Sequence, residues 1–455
     1  MPIISVNPST DQTIQSYPVM SADQAQGILR LAAEAQPGWR RESFSQRAGP
    51  IRAAGGLLRE RVEEWAALMA REMGKPLAQG RSEAEKCAWV CDFYAEQAAR
   101  FLAPEQITTD ASKSLIVFEP MGVILAVMPW NFPFWQVFRA AVPALMAGNA
   151  VMLKHASNVA GCALAIERIF RDAGLPDGLF RTLLVETGEV SRLIEHPAIK
   201  GVTLTGGTPA GRAVAAKAGE MLKKTVLELG GSDPYLILED ADLEPTVEAC
   251  VTSRLINAGQ SCVAAKRFIV VEPIRSRFEE RLVELMRSRR MGDPFEDGVA
   301  LGPLARRDLR DGLHEQVRAT LKQGARRLLG GEVPEGPGAY YPPTVLTDVR
   351  PGMAAHDQET FGPVAAVIPV ATEAEAIRVA NASVFGLGAA VFTRDLKRGE
   401  RIATEQLEAG SCFVNAYVRS DPRLPFGGIK GSGYGRELSS FGIREFVNIK
   451  TVYVK

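Results

Sequence analysis

Between residues 150 and 229, short apolar runs alternate with amphipathic segments, and that rhythm constrains the fold more than any other feature. Ala150-Val-Met-Leu-Lys154, Phe180 to Val185, Gly201-Val-Thr-Leu-Thr205 and Thr225 to Leu229 read as strands. Asn158 to Ala173, Val190 to His196 and Gly211 to Gly219 read as the helices between them. Strands that are apolar along their whole length, with helices between, belong in a parallel sheet covered on both faces. Ligands of such sheets bind beyond the carboxyl ends of the strands. Residues 21–105 read mostly helical: Leu58, Val62, Trp65 and Met69 repeat at helical spacing, and Gly74 then Pro76 give a stop. Residues 114–128 read as strands. A second α/β region runs from about 232 to 420, with strands at Phe268 to Val271, Val364 to Val370 and Cys412 to Val414. The tail from Phe446 to Lys455 alternates like a strand and needs a partner.

The chain has 455 residues, enough for two or three domains of ~150 residues each. Basic and acidic residues balance at 53 each, so no global field draws nucleic acid or anionic lipid. No apolar run reaches the roughly 20 residues of a membrane span, and the first residues lack the pattern of a signal peptide. A cytoplasmic protein is the expectation. The six cysteines have no paired CxxC spacing and the four histidines form no ligand-spaced cluster, so no metal is expected. Cys87 and Cys91, four apart in a helical pattern, read as buried packing.

Three residues carry chemistry. Cys262 closes Asn257-Ala-Gly-Gln-Ser-Cys262, a small polar run with a turn-permitting glycine. Glu228 is a carboxylate inside an apolar strand that ends in Gly230-Gly231. Asn131 is an amide held in Pro129-Trp-Asn-Phe-Pro133. A thiol, a buried acid and an amide donor are the parts needed to attack a carbonyl, hydrolyse a thioester and stabilise an oxyanion. There is no GxGxxG after the first strand. The nearest glycine-rich turn, Thr205-Gly-Gly-Thr-Pro-Ala-Gly-Arg212, follows a strand and opens a helix, so its amides can face a pyrophosphate.

Over essentially its whole length the chain resembles the NAD(P)-dependent aldehyde dehydrogenase superfamily. The motifs are Pro129 to Pro133, Val151-Met-Leu-Lys154, Thr205 to Arg212, Leu227-Glu-Leu-Gly-Gly231, Gly259-Gln-Ser-Cys262, Glu359-Thr-Phe-Gly-Pro363 and Pro425-Phe-Gly-Gly-Ile-Lys-Gly-Ser-Gly433. Within that superfamily it most resembles the succinate semialdehyde dehydrogenases. The resemblance implies an α/β fold with a Rossmann-like cofactor domain (1–107 and 126–229), a catalytic domain (230–432) and a small β oligomerisation element (108–125 and 433–455). It implies a homodimer or homotetramer acting on a small aldehyde. Cys262 matches the nucleophile, Glu228 the general base and Asn131 the oxyanion donor. Cofactor contacts fall to Trp130, Lys154, Ser157, Gly206, Gly207, Thr208, Gly211, Leu229, Glu359 and Phe361. Arg139 and Ser420 match residues that bind the substrate carboxylate, with Arg419 and Arg423 close by.

Several positions depart from the family. Ser157 stands where a glutamate often bonds the ribose 2′-hydroxyl. A neutral serine, with Lys154 and His155 nearby, tolerates a 2′-phosphate, so NADP is the expected cofactor and NAD the alternative. Gly207 replaces a serine. Ile256 stands where some semialdehyde enzymes have an arginine, and Ala264 where some have a second cysteine. Three other readings stay open: an enzyme for another semialdehyde or an aliphatic aldehyde, a cysteine hydrolase, and a non-catalytic binding protein on the same fold.

Overall fold

The structure, a computed structural model, describes residues 2–455. Its centre is two sheets. The first runs Gly433–Tyr434, Lys224–Glu228, Ile199–Thr205, Val123–Met128, Ala150–His155, Phe180–Thr182, and all its pairings are parallel except that of the short Gly433–Tyr434 edge. The apolar runs of the sequence are its buried middle, with Leu125, Val151, Leu153, Val202 and Leu227 at most 3% exposed. Helices Trp135–Met146, Ala160–Asp172, Val190–Glu195 and Thr208–Glu220 make the crossovers.

The second sheet has seven strands, ordered Arg326–Leu329, Thr344–Thr347, Val364–Val370, Ala265–Val271, Asp233–Ile237, Gly388–Phe392, Ser411–Val414. Only the Arg326–Leu329 edge is antiparallel. A third, small sheet pairs the tail Val447–Val454 with Lys113–Pro120 over eight residues, and Glu105–Gln106 extends it. The expected tail partner is therefore the segment found beside it.

The helical opening consists of Ala22–Trp39, Phe44–Glu60, Val62–Met73 and Leu77–Phe101. The first two start at capping boxes, Ser21 with Gln24 and Ser43 with Gln46, which satisfy orphan amides at each N-terminus. The run from Leu58 to Met69 is not one helix: Arg61 leaves helical geometry (φ −111°, ψ 30°) and the chain restarts at Val62. Both pieces still bury the same stripe, because Leu58, Trp65 and Met69 pack into one core. Gly74 ends the third helix in the left-handed region (φ 78°), where a Cβ would fall 2.7 Å from Pro303. Cys87 and Cys91 are fully buried on the fourth helix, as their spacing implied. Among the described residues no helix is long and apolar enough to cross a membrane.

Candidate active site

Three segments from the two sheets converge at the carboxyl edge of the first. Asn131 follows the strand Val123–Met128 and is buried. Its Oδ1 accepts from Gln136 Nε2 (2.9 Å), its Nδ2 donates to the Gln260 carbonyl (3.0 Å), and its own carbonyl accepts from Asn257 Nδ2 (2.7 Å). These bonds fix which end of the amide is the donor. One of its two N–H bonds remains for another acceptor.

Cys262 stands after a tight turn that begins where helix Leu243–Leu255 ends. Asn257, Ala258 and Gly259 hold φ of 54°, 53° and 78°, three left-handed residues in succession. Two are not glycine, and each costs on the order of 1–3 kcal/mol. The turn is held from outside: Gln79 Oε1 accepts from Asn257 N (2.7 Å), Gln260 Oε1 from Ala305 N (2.8 Å), and an Arg254 Nη donates to Gly259 O (2.6 Å). Gly259 is obligatory, because a Cβ there would meet the Gly362 carbonyl at 2.3 Å. Lys266, fully buried, donates to the carbonyls of Ser261 (2.9 Å) and Cys262 (2.7 Å).

Glu228 ends the strand Lys224–Glu228, with Thr205 beside it on one side and Gly433 on the other. Its Oε2 lies 3.5 Å from an Arg139 Nη, and its side chain lines the same cavity as Cys262. Burial pushes Glu228 up to about 7; Arg139 pulls it down and Glu437 pushes it up again. Burial, then Glu228, holds the Cys262 thiol well above the ordinary thiol range, while Arg139 and Lys266 act against them. The resting pair is therefore a thiol beside a carboxyl group that titrates near neutrality.

Cys262 is partly exposed and opens onto two cavities. One, of about 260 Å³, lies over the carboxyl edge of the first sheet and is walled by Trp130, Gly206, Gly207, Leu229, Glu359 and Phe361. The other, of about 320 Å³, lies on the opposite side, between Trp135, Arg139, Ile256, Ser420 and Phe426. Gln136 also lines both.

The first cavity suits a dinucleotide. Gly207 sits at the N-terminus of the Thr208–Glu220 helix, and its missing side chain leaves the amides there uncapped. Gly211 is demanded by packing, since a Cβ would lie 2.5 Å from Leu229. At Gly230 a Cβ would lie 2.3 Å from Glu359 Oε2, so glycine keeps that carboxylate in place. Glu359 also accepts from Gly231 N (3.0 Å) and lies 3.3 Å from Lys266 Nζ. The Trp130 and Phe361 rings meet edge to face at 5.8 Å, forming a wall beside the thiol. Lys154 and Ser157 lie further along the same edge, at the end of the Ala150–His155 strand and just after it. Lys154 reaches Thr187 Oγ1 (3.4 Å), and Ser157 is exposed.

Two expectations change. His155 does not add positive charge for a phosphate. It is buried, its ring nitrogens lie 2.9 Å from the Pro133 carbonyl and 3.2 Å from that of Met128, and burial pulls it down to about 4. Any phosphate there relies on Lys154 and Ser157. Arg139 reaches the second cavity, but its charge is engaged by protein. Its Nε lies 2.6 Å from Glu437 Oε2, and an Nη lies 3.5 Å from Glu228 Oε2 and 3.3 Å from Thr205 Oγ1. Arg423 pairs with Asp421 at 2.6 Å, whereas Arg419 lies at the cavity wall. Gln136, Lys266 and Lys86 were not singled out from the sequence. Gln136 and Lys266 reach the site from the start of a helix and of a strand and Lys86 from the middle of a helix, with no motif of their own.

Two mostly parallel sheets with a thiol, a carboxyl group and an amide gathered between a glycine-lined cleft and a second cavity define a nucleotide-dependent oxidoreductase of the α/β class. The chain belongs to the aldehyde dehydrogenase family, whose sequence pattern matches residues 2–452. It is 50% identical over 451 residues to the Escherichia coli (strain K12) succinate semialdehyde dehydrogenase Sad, named for NAD(P)+, covering 99% of this chain and 97% of that protein. It is 49% identical over 454 residues to a probable NADP+ succinate-semialdehyde dehydrogenase of Synechocystis sp., covering both chains fully. Among solved structures it matches Gox0499 with a TM-score of 0.98 at 41% identity over 100% of both chains. It also matches a Streptococcus pyogenes succinic semialdehyde dehydrogenase solved with NADP+, with a TM-score of 0.97 at 36% identity over 99% of each chain.

Proposed function

We propose that this protein oxidises succinate semialdehyde to succinate, with NADP+ as the preferred acceptor and NAD+ as the alternative. The reading is carried by Cys262, which opens at once onto the glycine-lined cleft and onto the cavity on its other side.

Cys262 gives its proton to Glu228 and adds through sulfur to the aldehyde carbon, forming a C–S bond and an oxyanion. The second N–H of Asn131 and the Cys262 backbone N–H receive that oxyanion. Gln136 keeps Asn131 in the donor orientation, and Lys266 holds the Ser261 carbonyl, the other end of the peptide unit that carries the Cys262 N–H. Cys262 holds the carbon from which a hydride would leave to a nicotinamide bound in the glycine-lined cleft, and it keeps the acyl group as a thioester. Glu228 releases its first proton to solvent and, ionised again, takes one from water, whose oxygen attacks the thioester; the C–S bond breaks, the Cys262 thiolate takes that proton back from Glu228, and the acid leaves as succinate with its own proton going to solvent. Trp130, Leu229, Glu359 and Phe361, which wall the cleft, would hold the nicotinamide end of the cofactor. Gly206, Gly207, Thr208 and Gly211 would hold the pyrophosphate, and Lys154 with Ser157 would hold the adenosine ribose phosphate. Arg139 and Ser420 belong to the carboxylate end of the substrate cavity, where Arg139 acts through its field.

In this assignment the Val123–Glu228 sheet carries nucleotide, the Asp233–Val414 sheet carries the nucleophile, and the Lys113–Pro120 and Val447–Val454 pair joins copies of the chain in a cytoplasmic homo-oligomer. Initial rates with NADP+ and NAD+, on succinate semialdehyde and on butanal, test the reading. A preference for the carboxylated aldehyde is expected; equal kcat/KM on both returns the protein to a general aldehyde oxidiser.

A further inference from the structure

We propose that Lys86 is a substrate-specificity residue, whose ammonium receives the distal carboxylate of an ω-carboxy aldehyde while the carbonyl carbon sits at Cys262. This rests on the semialdehyde reading and adds to it a residue that no sequence motif marks.

Lys86 projects from the Leu77–Phe101 helix into the same cavity that Cys262 opens onto. Its Nζ donates to Ser420 Oγ at 2.8 Å and lies 4.4 Å from the Trp135 ring centre. These contacts hold the head in place without neutralising it. Three other enclosed cations around the site have their own carboxylates: Lys75 has Glu83, Arg139 has Glu437, and Lys266 has Glu359, while Arg254 donates to the Gly259 carbonyl. Among the described residues Lys86 has none within ion-pair distance. A half-buried, unpaired ammonium is costly to keep charged unless a ligand completes it.

The surroundings select what that ligand is. Trp135, Ile256 and Phe426 give the cavity apolar sides suited to a short methylene chain. Ser420 accepts from Lys86 through its oxygen, so its own O–H remains to donate to the same carboxylate. Ile256 stands where an arginine would complete a clamp, and Arg139 is already held by Glu437. Lys86 is thus the enclosed cation of this cavity with charge to spare, since Arg419, which also lines it, is exposed to solvent.

The groups facing Lys86 also make its charge sensitive to pH. Glu83 and Cys87 lie on its own helix, Arg139 on the Trp135–Met146 helix, and Asp421 on the loop after Ser420. Burial first, then Arg139, pulls the ammonium down to about 8 against the other three. Selectivity for a carboxylate should therefore be lost as pH rises through that value.

The test is the ratio of kcat/KM for succinate semialdehyde to that for butanal. It is measured in the parent, Lys86→Met and Lys86→Arg with saturating NADP+. A charge-assisted bond of about 1.5–3 kcal/mol corresponds to a fall in the ratio of roughly 10- to 100-fold in the methionine variant, mostly through KM. The arginine variant should recover part of it. A methionine variant that keeps the parent ratio overturns the role of Lys86 and leaves the semialdehyde reading standing. A parent that shows no preference overturns both. The pH profile of the parent ratio needs no substitution: a fall centred near 8 supports the proposal, and a flat ratio from neutrality to well above 8 overturns it. Ionisation of Cys262 and Glu228 affects both substrates and cancels.

Discussion

At the scale of single residues, the decisive group is Glu228. A carboxyl group whose folded-state pKa stands near 7, above its ordinary 4.5, takes up a proton on folding. Its ionisation therefore costs stability as pH rises from about 4.5 through 7, and the cost is constant beyond. In the proposed mechanism the same ionisation creates the base. We expect kcat to rise as pH passes through about 7, and Glu228→Gln to remove that limb and accumulate acyl-enzyme after one turnover. A variant that keeps the limb and full steady-state turnover would relieve Glu228 of this role. Asn131→Ala removes one oxyanion donor and should lower kcat roughly 100- to 1,000-fold at little change in cofactor affinity; unchanged turnover would place the oxyanion elsewhere. Cys262, Glu228 and Asn131 were legible because each lies in its own short motif. Gln136 and Lys266 were not, because only the folded chain brings Gln136 back onto the amide it orients and Lys266 onto the turn it pins.

At the scale of elements, the site depends on how the Leu77–Phe101 helix meets the one that follows Asn131. Glu83 accepts from Phe134 N (2.9 Å) and Trp135 N (3.0 Å), capping the start of the Trp135–Met146 helix, and forms a buried ion pair with Lys75. Lys75 also lies 4.0 Å from the Phe132 ring centre. Glu83→Gln keeps the amide contacts but strands a fully buried ammonium, a loss of about 3–5 kcal/mol that a denaturant or thermal midpoint should reveal. A midpoint unchanged within error would show that Lys75 is neutral as folded. In the proposed reading another element carries cofactor choice: the end of the Ala150–His155 strand presents Lys154, and the turn after it Ser157, at the sheet edge. Ser157→Glu places a carboxylate against a 2′-phosphate. It should raise KM for NADP+ more than tenfold while sparing NAD+, since one repelling charge for one hydrogen bond exceeds 1.4 kcal/mol; equal effects on both cofactors would remove Ser157 from the phosphate site. Most strands were readable because full burial makes them continuously apolar. The Arg61 break and the short Arg326–Leu329 edge were not, since one lies inside an unbroken hydrophobic period and the other is half polar.

At the scale of the whole molecule, the alternation of apolar runs and helices made the two parallel sheets legible, but the sequence did not show that Gly433–Tyr434 would turn back to edge the first sheet beside Glu228. That turn follows from contact: at Gly433 (φ 108°) a Cβ would lie 2.0 Å from the Leu227 carbonyl, so only glycine allows the approach. From there the chain runs out to the tail strand, which leaves the body of the protein. Val447–Val454 is eight residues long, is the outer strand of a three-stranded sheet, and exposes Ile449 (62%) and Tyr453 (49%) on one face. A long apolar edge in water invites pairing with another chain, and proteins normally blunt or cover such edges. Its inner side is bonded along its full length to Lys113–Pro120, so only its outer side and its exposed face are open to a second copy. Replacing Ile449 and Tyr453 together by lysine leaves that inner ladder intact and sets like charges across any self-contact. Light scattering should then give a smaller mass than for the parent, with cofactor binding retained because the dinucleotide cleft lies on the other sheet. A parent that is already monomeric, or a double variant with the parent's mass, would show that the tail sheet is not the surface through which copies of this chain meet.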